Sequence, residues 1–452
     1  MRKETLNKNK ISVIGLGKLG LCFAACLAHR GFFVVGVDVN QRVIDSVNSG
    51  SSPIIEPGLS KLIAKYGGNK LKATTDHQKA INETDVTFIL VATPSDLEGN
   101  FSNKYVESAL KLLAAALKKS PKKYHLFIIS STVLPTSTEK EFIPIIERYS
   151  EKKINIDFGV CYNPVFSDVA LGSVVKDFLK VDLVAIGEND KFAGDQVELI
   201  YRQLSENKLL HFGRMSIISA EIAKLAMNNY IVLKMSFANI LANLCENIEG
   251  AELDLITSTL GADKKIAPYF FKGGLSFGGT CFPRDTKAFM IFSKKFGRDT
   301  ELIEAVEKIN EFQNVHLAEI VFKNLLSIKK KKVSILGLSF KPNTPVIVES
   351  PAIKLIHRLL EKGVEIAVYD PLAIDNTKSI FGDKIKYANS VRECLSYSSC
   401  WIITTPDEEF KNIDDSFVTY IPTIIIDCWR ILNSHKFSKK VKYIRWGYYQ
   451  KD

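Results

Sequence analysis

Gly273 to Asp285 reads GGLSFGGTCFPRD, with four glycines around one cysteine and an Arg-Asp pair close behind it. Glycine lets backbone approach a ligand closely or take a positive φ. A cysteine in such a loop can act as a nucleophile when nearby positive charge or donors stabilise its thiolate. The same spacing also fits a tight turn around one buried, inert thiol. A second group lies upstream. Lys224 and Asn228 stand four residues apart in a helical pattern running from Ser219 to Gly250, so they share a helix face. A lysine beside an asparagine can polarise a developing oxyanion, although a solvated polar pair has the same spacing.

The elements that must position these groups begin at the N-terminus. Ile11 to Ile14 is a short β-branched run, followed by Gly15-Leu16-Gly17-Lys18-Leu19-Gly20 and an apolar helical pattern from Leu21 to His29. This is GxGxxG between a strand and a helix, where the glycines permit a tight turn, close approach of a pyrophosphate and helix–strand packing. The next strand, Phe33 to Val37, ends at Asp38. A carboxylate there accepts both ribose hydroxyls and repels a 2′-phosphate, so NAD is expected rather than NADP. Two further strands, Thr87 to Val91 and Leu126 to Ile129, end in Ala92-Thr93-Pro94 and Ser130-Ser131-Thr132. Such endings set small hydroxyls along the carboxyl edge of a parallel sheet, where ligands bind, and the same residues can cap helices.

The C-terminal third repeats the plan. Val333 to Leu336 runs into Gly337-Leu338-Ser339, Val364 to Tyr369 ends at Asp370, Cys400 to Ile403 ends in Thr404-Thr405-Pro406, and Thr423 to Ile426 ends at Asp427. The expected fold is α/β, with two Rossmann-like doubly wound domains joined by a long central helix. The degenerate second glycine motif points to a nucleotide other than a dinucleotide. The 32-residue helical stretch would span roughly 48 Å at about 1.5 Å per residue. Its apolar positions are expected to bury a face against a second subunit in a homodimer.

The chain has 452 residues, enough for two or three domains. Its net charge of +10 suits anionic ligands such as nucleotides; no aromatic-interleaved basic stripe points to nucleic acid. The eight cysteines lack CxxC pairs and histidine partners at metal-ligand spacing, so neither a metal site nor a disulfide framework is expected, and seven of them are expected to be packing residues. No apolar run approaches the length of a membrane span, and MRKETLNKNK leads straight into ISVIGLG without a signal-peptide core. A cytoplasmic protein that does not engage a membrane is expected.

With these parts in place the chain resembles the UDP-glucose 6-dehydrogenase family of nucleotide-sugar dehydrogenases. The motifs that carry the resemblance are GLGKLG with VDVN, IIEPGL, VATPSD, SSTVLPT, KLAMNN, GGLSFGGTCFPRD and GLSFKPNT with ESPA, in that order from Gly15 to Ala352. The resemblance implies an NAD-dependent four-electron oxidation of a sugar C6 alcohol to a carboxylate, UDP-glucose to UDP-glucuronate. Cys281 would carry a thiohemiacetal and then a thioester. Lys224 and Asn228 match the family's oxyanion pair, Asp285 its positioning carboxylate and Thr132 its water-positioning threonine. By the same matching Gly15, Gly17, Leu19, Gly20, Asp38, Arg42, Thr93, Ser131 and Arg284 would hold NAD. Phe166, Asp168, Lys265, Lys272, Phe277, Gly278, Phe340, Lys341 and Arg430 would hold the nucleotide sugar. The implied organisation is an NAD-binding domain over 1–212, a central helical dimerisation region with the cysteine loop over 213–325, and a UDP-binding domain over 326–452.

Departures from the family pattern fall in the sugar, nucleotide and cofactor contacts. Where the family writes NPEF this chain has Asn163-Pro164-Val165-Phe166, and Leu171 stands at a second glutamate position, so Asp168 is the candidate replacement carboxylate. The C-terminal arginine is displaced from Trp429 to Arg430, and the basic residue after Asp38 falls one place early, at Arg42. Two alternatives follow: the same chemistry on an N-acetylhexosamine or another nucleotide such as dTDP, or a nucleotide-sugar-binding homologue with impaired catalysis.

Overall fold

The computed structural model describes residues 7–96, 99–166, 174–328 and 331–450. The chain divides into two compact units, Met1–Ala226 and Met227–Asp452. In the first, eight strands form one sheet: β1 (Lys10–Ile14), β2 (Phe33–Val37), β3 (Leu71–Thr74), β4 (Val86–Ile89), β5 (His125–Ile129), β6 (Phe158–Tyr162), β7 (Leu183–Glu188) and β8 (His211–Met215). Their order is β3-β2-β1-β4-β5-β6-β7-β8, parallel throughout except where β6 meets β7. The first six strands follow the dinucleotide-fold order, whose strand order reverses between β1 and β4 and opens a crevice at their carboxyl ends. β1, β4, β5 and β6 are buried along almost their whole length, because helices cover both faces, and this is why they read as continuous apolar runs.

The second unit repeats the order with six parallel strands: β9 (Lys332–Leu336), β10 (Glu365–Tyr369), β11 (Lys386–Tyr387), β12 (Cys400–Ile403), β13 (Thr423–Asp427) and β14 (Val441–Arg445), arranged β11-β10-β9-β12-β13-β14. The long helix runs Ile217–Cys245. It stops short of Gly250 because the chain tightens there, with Asn247 N–H bonded to Leu244 O and Ile248 N–H to Cys245 O. The first helix begins at Lys18 rather than Leu21, taking Lys18 and Leu19 into its first turn. Seven of the eight cysteines are buried and Cys281 is exposed.

A polar thread crosses the interior of the first sheet. Thr84 Oγ1 donates to Ser12 Oγ (3.0 Å), Ser12 Oγ lies 2.7 Å from Thr87 Oγ1, and Thr87 Oγ1 lies 2.7 Å from His125 Nε2. Burial, with the Lys122 charge adding to it, pushes the His125 imidazole down to about 3. An unfolded histidine takes up its proton near pH 6.5. Between that value and about 3 the unfolded chain therefore binds a proton that the native chain refuses, and stability falls as pH falls. At pH 5 the loss is about 2 kcal/mol. Urea unfolding of wild type and His125→Gln at pH 7.5 and pH 5 checks this: wild type should lose about 2 kcal/mol more than the variant, and equal losses refute it.

Candidate active site

The dinucleotide end of the first unit is built at the carboxyl edge of β1. Gly15 has φ +92, and a Cβ there would lie 2.7 Å from Leu90 O, so only glycine fits the turn. Gly17 has open space where a side chain would be and offers no side-chain cap to the helix Lys18–His29. That leaves the helix N-terminus free for a pyrophosphate. Leu19 packs on the core behind it. Asp38 accepts Leu16 N–H at 2.7 Å and Asn40 N–H at 2.9 Å while remaining half-exposed, with lone pairs left for a ribose. Arg42 is exposed one turn further on. Beside Asp38 opens a cleft of about 360 Å³ lined by Gly15, Gly17, Val39, His77, Tyr105 and Leu112. These residues fit an adenosine with its diphosphate.

The loops leaving β4 and β5 are stitched together at the same edge. Thr93 Oγ1 donates to Thr132 O at 2.6 Å, and Ser131 Oγ donates to Val91 O at 2.7 Å. Lys224 donates to Val165 O at 2.9 Å and holds its Nζ 5.5 Å from the Phe166 ring centroid. The lysine therefore meets a main-chain carbonyl at the family's glutamate position. Asp168 lies outside the described residues.

In the second unit Cys281 is the exposed N-cap of the helix Phe282–Lys295. Asp285 N–H closes the first helical bond onto Cys281 O at 2.8 Å, which puts the carboxylate one turn behind the thiol. Asp285 has 0% exposure. Asn228 donates to its Oδ2 at 2.6 Å, and Arg284 donates to its Oδ1 at 2.9 Å through Nε, with the second nitrogen at 2.8 Å. Cys281, Asn228, Arg284 and Asp285 thus form one cluster.

The glycine loop is clamped by amides that spacing did not reveal. Asn239 Oδ1 accepts Gly274 N–H (2.8 Å), Asn310 Oδ1 accepts Phe277 N–H (2.7 Å), and Ser276 Oγ donates to Asn314 Oδ1 (2.6 Å). The backbone of Gly278 lies against Glu349 O, and a Cβ at Gly279 would sit 2.6 Å from the Phe340 ring. Lys341 Nζ lies 5.6 Å from that ring. Arg430, with only 2% of its side chain exposed, grips Asp254 through two bonds of 2.9 and 3.0 Å and donates to Gly273 O at 2.8 Å. Lys272 is pushed below the usual lysine range by burial and by the Arg430 charge. Lys265 stands apart, 86% exposed with Asp263 at 3.4 Å.

The second sheet's counterpart of Asp38 is closed. Asp370 accepts N–H from Leu338 (2.7 Å), Ser339 (3.1 Å), Leu372 (2.8 Å) and Ala373 (2.8 Å), and it is buried. The turn after β9 is filled by Thr405, whose Oγ1 donates to Ser339 O at 2.9 Å. Helix Pro351–Glu361 begins well beyond it. Among the described residues, Asp370 is taken up by the turn and no helix starts at the glycine turn.

An open glycine turn on a 3-2-1-4-5-6 sheet defines a dinucleotide-binding fold, and the comparisons with known proteins specify the class of enzyme. Models of the UDP-glucose/GDP-mannose dehydrogenase family match over residues 9–205 (NAD binding domain), 218–312 (central domain) and 334–434 (UDP binding domain). The chain is 34% identical to the UDP-glucose 6-dehydrogenase AglM of Haloferax volcanii, over 94% of this chain and 97% of that protein. It is also 34% identical to the GDP-mannose 6-dehydrogenase of Pseudomonas putida, over 80% of each. The solved UDP-glucose dehydrogenase of Pyrobaculum islandicum superposes with a TM-score of 0.88 at 29% identity, covering 98% of this chain and 99% of that one. The chain belongs to the UDP-glucose/GDP-mannose dehydrogenase family, and its cofactor is NAD.

The two aspartates should separate on mutation. Asp38→Ala should weaken NADH binding about tenfold or more with a small change in Tm. Asp370→Ala should leave NADH affinity alone and cost about 3 kcal/mol or more, since it strands several buried N–H groups. NADH fluorescence titration and thermal unfolding of both variants check this; a swap of the two effects refutes it.

Proposed function

We propose that this protein oxidises the C6 alcohol of a UDP-sugar to the carboxylate, converting UDP-glucose to UDP-glucuronate, through a covalent bond to Cys281. The observation that carries the reading is the exposed thiol at a helix N-terminus with the fully buried, doubly bonded Asp285 one turn behind it. NAD, held at Gly15, Gly17, Gly20 and Asp38, supplies the hydride acceptor for both oxidations. Loss of hydride and proton from the alcohol gives the aldehyde. The Cys281 thiolate adds to its carbon, forming a C–S bond and an alkoxide. The Lys224 ammonium opposes that charge, and so does the second N–H of Asn228, whose first is spent on Asp285. A second hydride loss leaves a thioester. Water adds, the C–S bond breaks, the sulfur departs as thiolate and the product is a carboxylate. Thr132 positions that water, and Asp168 takes the place of the glutamate missing at Val165. Lys272 and Lys341 supply cations for the diphosphate.

The CFPRD segment favours glucose. A second reading, the same chemistry on an N-acetylhexosamine or another nucleotide, is favoured by the altered segment from Asn163 to Gly172 and by the GDP-mannose 6-dehydrogenase relatives. A nucleotide-sugar-binding homologue with impaired catalysis is the third; it fits less well, because Cys281, Lys224, Asn228 and Asp285 are all present. The division into 1–212, 213–325 and 326–452 follows the three roles. The partner is a second copy of the chain: the long helix leaves Tyr230, Phe237 and Leu244 exposed at seven-residue intervals, a stripe suited to a homodimer. Buried, unpaired thiols agree with a cytoplasmic setting.

Absorbance at 340 nm with a panel of nucleotide sugars tests the reading. UDP-glucose should give two NADH per sugar, and Cys281→Ser should abolish completed turnover. Asp168→Asn should cut turnover by about 10²-fold or more. Preference for an N-acetyl sugar moves the assignment to the second reading. Tight sugar binding without NADH moves it to the third, and full turnover by Cys281→Ser removes the covalent mechanism.

A further inference from the structure

Glu221 lies in the long helix, three residues before Lys224, and is completely buried. Its two carboxylate oxygens are spent on one loop. Oε2 accepts Thr136 N–H at 2.6 Å, and Oε1 accepts Thr138 N–H at 2.9 Å. Thr136 has φ +79, a conformation that costs a non-glycine residue about 1 kcal/mol or more. Thr138 opens a π-helical turn, Thr138–Phe142, that continues into the helix Ile143–Ser150. The carboxylate therefore caps this helical run from another element and holds the strained turn in place. The same loop carries Ser131 and Thr132 a few residues earlier, where Thr93 pins Thr132 O. Burial pushes the Glu221 carboxyl above the usual range and the nearby Glu139 adds to that, while the Thr136 and Thr138 donors pull it down.

We propose that Glu221 is a positioning residue that fixes the Thr132 loop relative to Lys224 and so controls thioester hydrolysis more than the hydride transfers. The inference rests on the reading of Thr132 and Cys281 given above. In the step concerned, a water oxygen bonds to the acyl carbon, the C–S bond breaks, Cys281 leaves as thiolate, and both water protons are released. Only a carboxylate accepts at both ends. A glutamine keeps one acceptor and turns its amide N–H groups toward the other backbone donor, which releases either Thr136 or Thr138. A displacement of about 1 Å costs on the order of 10²-fold in a positioned reaction.

The test is rapid mixing of enzyme, NAD and UDP-glucose, followed at 340 nm and by intact-protein mass spectrometry. Glu221→Gln should show a burst of about two NADH per subunit, then a slow steady rate 10- to 100-fold below wild type, with a Cys281-linked acyl adduct accumulating. KM for the sugar and NADH affinity should stay within about twofold. Glu221→Asp, which keeps the charge, should recover part of the steady rate; it also carries the test if the glutamine variant does not fold. Wild-type turnover in Glu221→Gln, or a slow rate without burst or adduct, overturns the proposal. A wild-type protein that makes no NADH from any nucleotide sugar overturns the dehydrogenase reading, and this one with it.

Discussion

A carboxylate without exposed surface has to be matched by donors, and the region around the thiol depends on how Asp285 meets that requirement. Asn228 and Arg284 supply the match. Because Asp285 N–H also closes the first helical bond onto Cys281 O, fixing the aspartate fixes the helix start and the direction of the cysteine. The preceding loop then has little freedom. Phe340 covers Gly279, Glu349 O lies against Gly278, and Asn310 holds both ends of Phe277, taking its N–H and donating to its carbonyl. The thiol is exposed, but its support is buried Asp285, amides on helices, and Phe340 and Glu349 packed on the loop, which is how a reactive group on a loop acquires a defined position.

The two sheets share one strand order and put the same residue type to opposite uses. Asp38 spends its bonds sparingly and keeps a face toward an open cleft. Asp370 is saturated by the turn beneath it, with Thr405 and Ser339 filling the space that a dinucleotide would need. The closed version is a strut for the domain, and the open version faces a cleft. The difference lies in a few hydroxyls and in where the following helix starts.

Much of this was legible from residue order. Interior parallel strands announce themselves as short apolar runs, so β1, β2, β4, β5, β9, β10, β12 and β13 were readable to within a residue or two at their ends. Edge strands were not: β8 carries His211 and Arg214, β11 has two residues, and neither shows a run of core side chains. Cys281 stood out by its glycines, and its exposure sets it apart from the seven buried thiols. Asn239, Asn310 and Asn314 gave no signal, since an amide in a helix looks the same whether it faces water or holds a loop more than thirty residues away. The pairing of Arg430 with Asp254 joins positions 176 residues apart, beyond the reach of any local pattern.

Lys224 donates to the main-chain carbonyl of residue 165. A main-chain oxygen carries no titration of its own and survives replacement of the residue that bears it. Position 165 can therefore change in identity without removing this bond. The bond to the lysine is in this sense independent of whatever chemistry the side chain at 165 supplies.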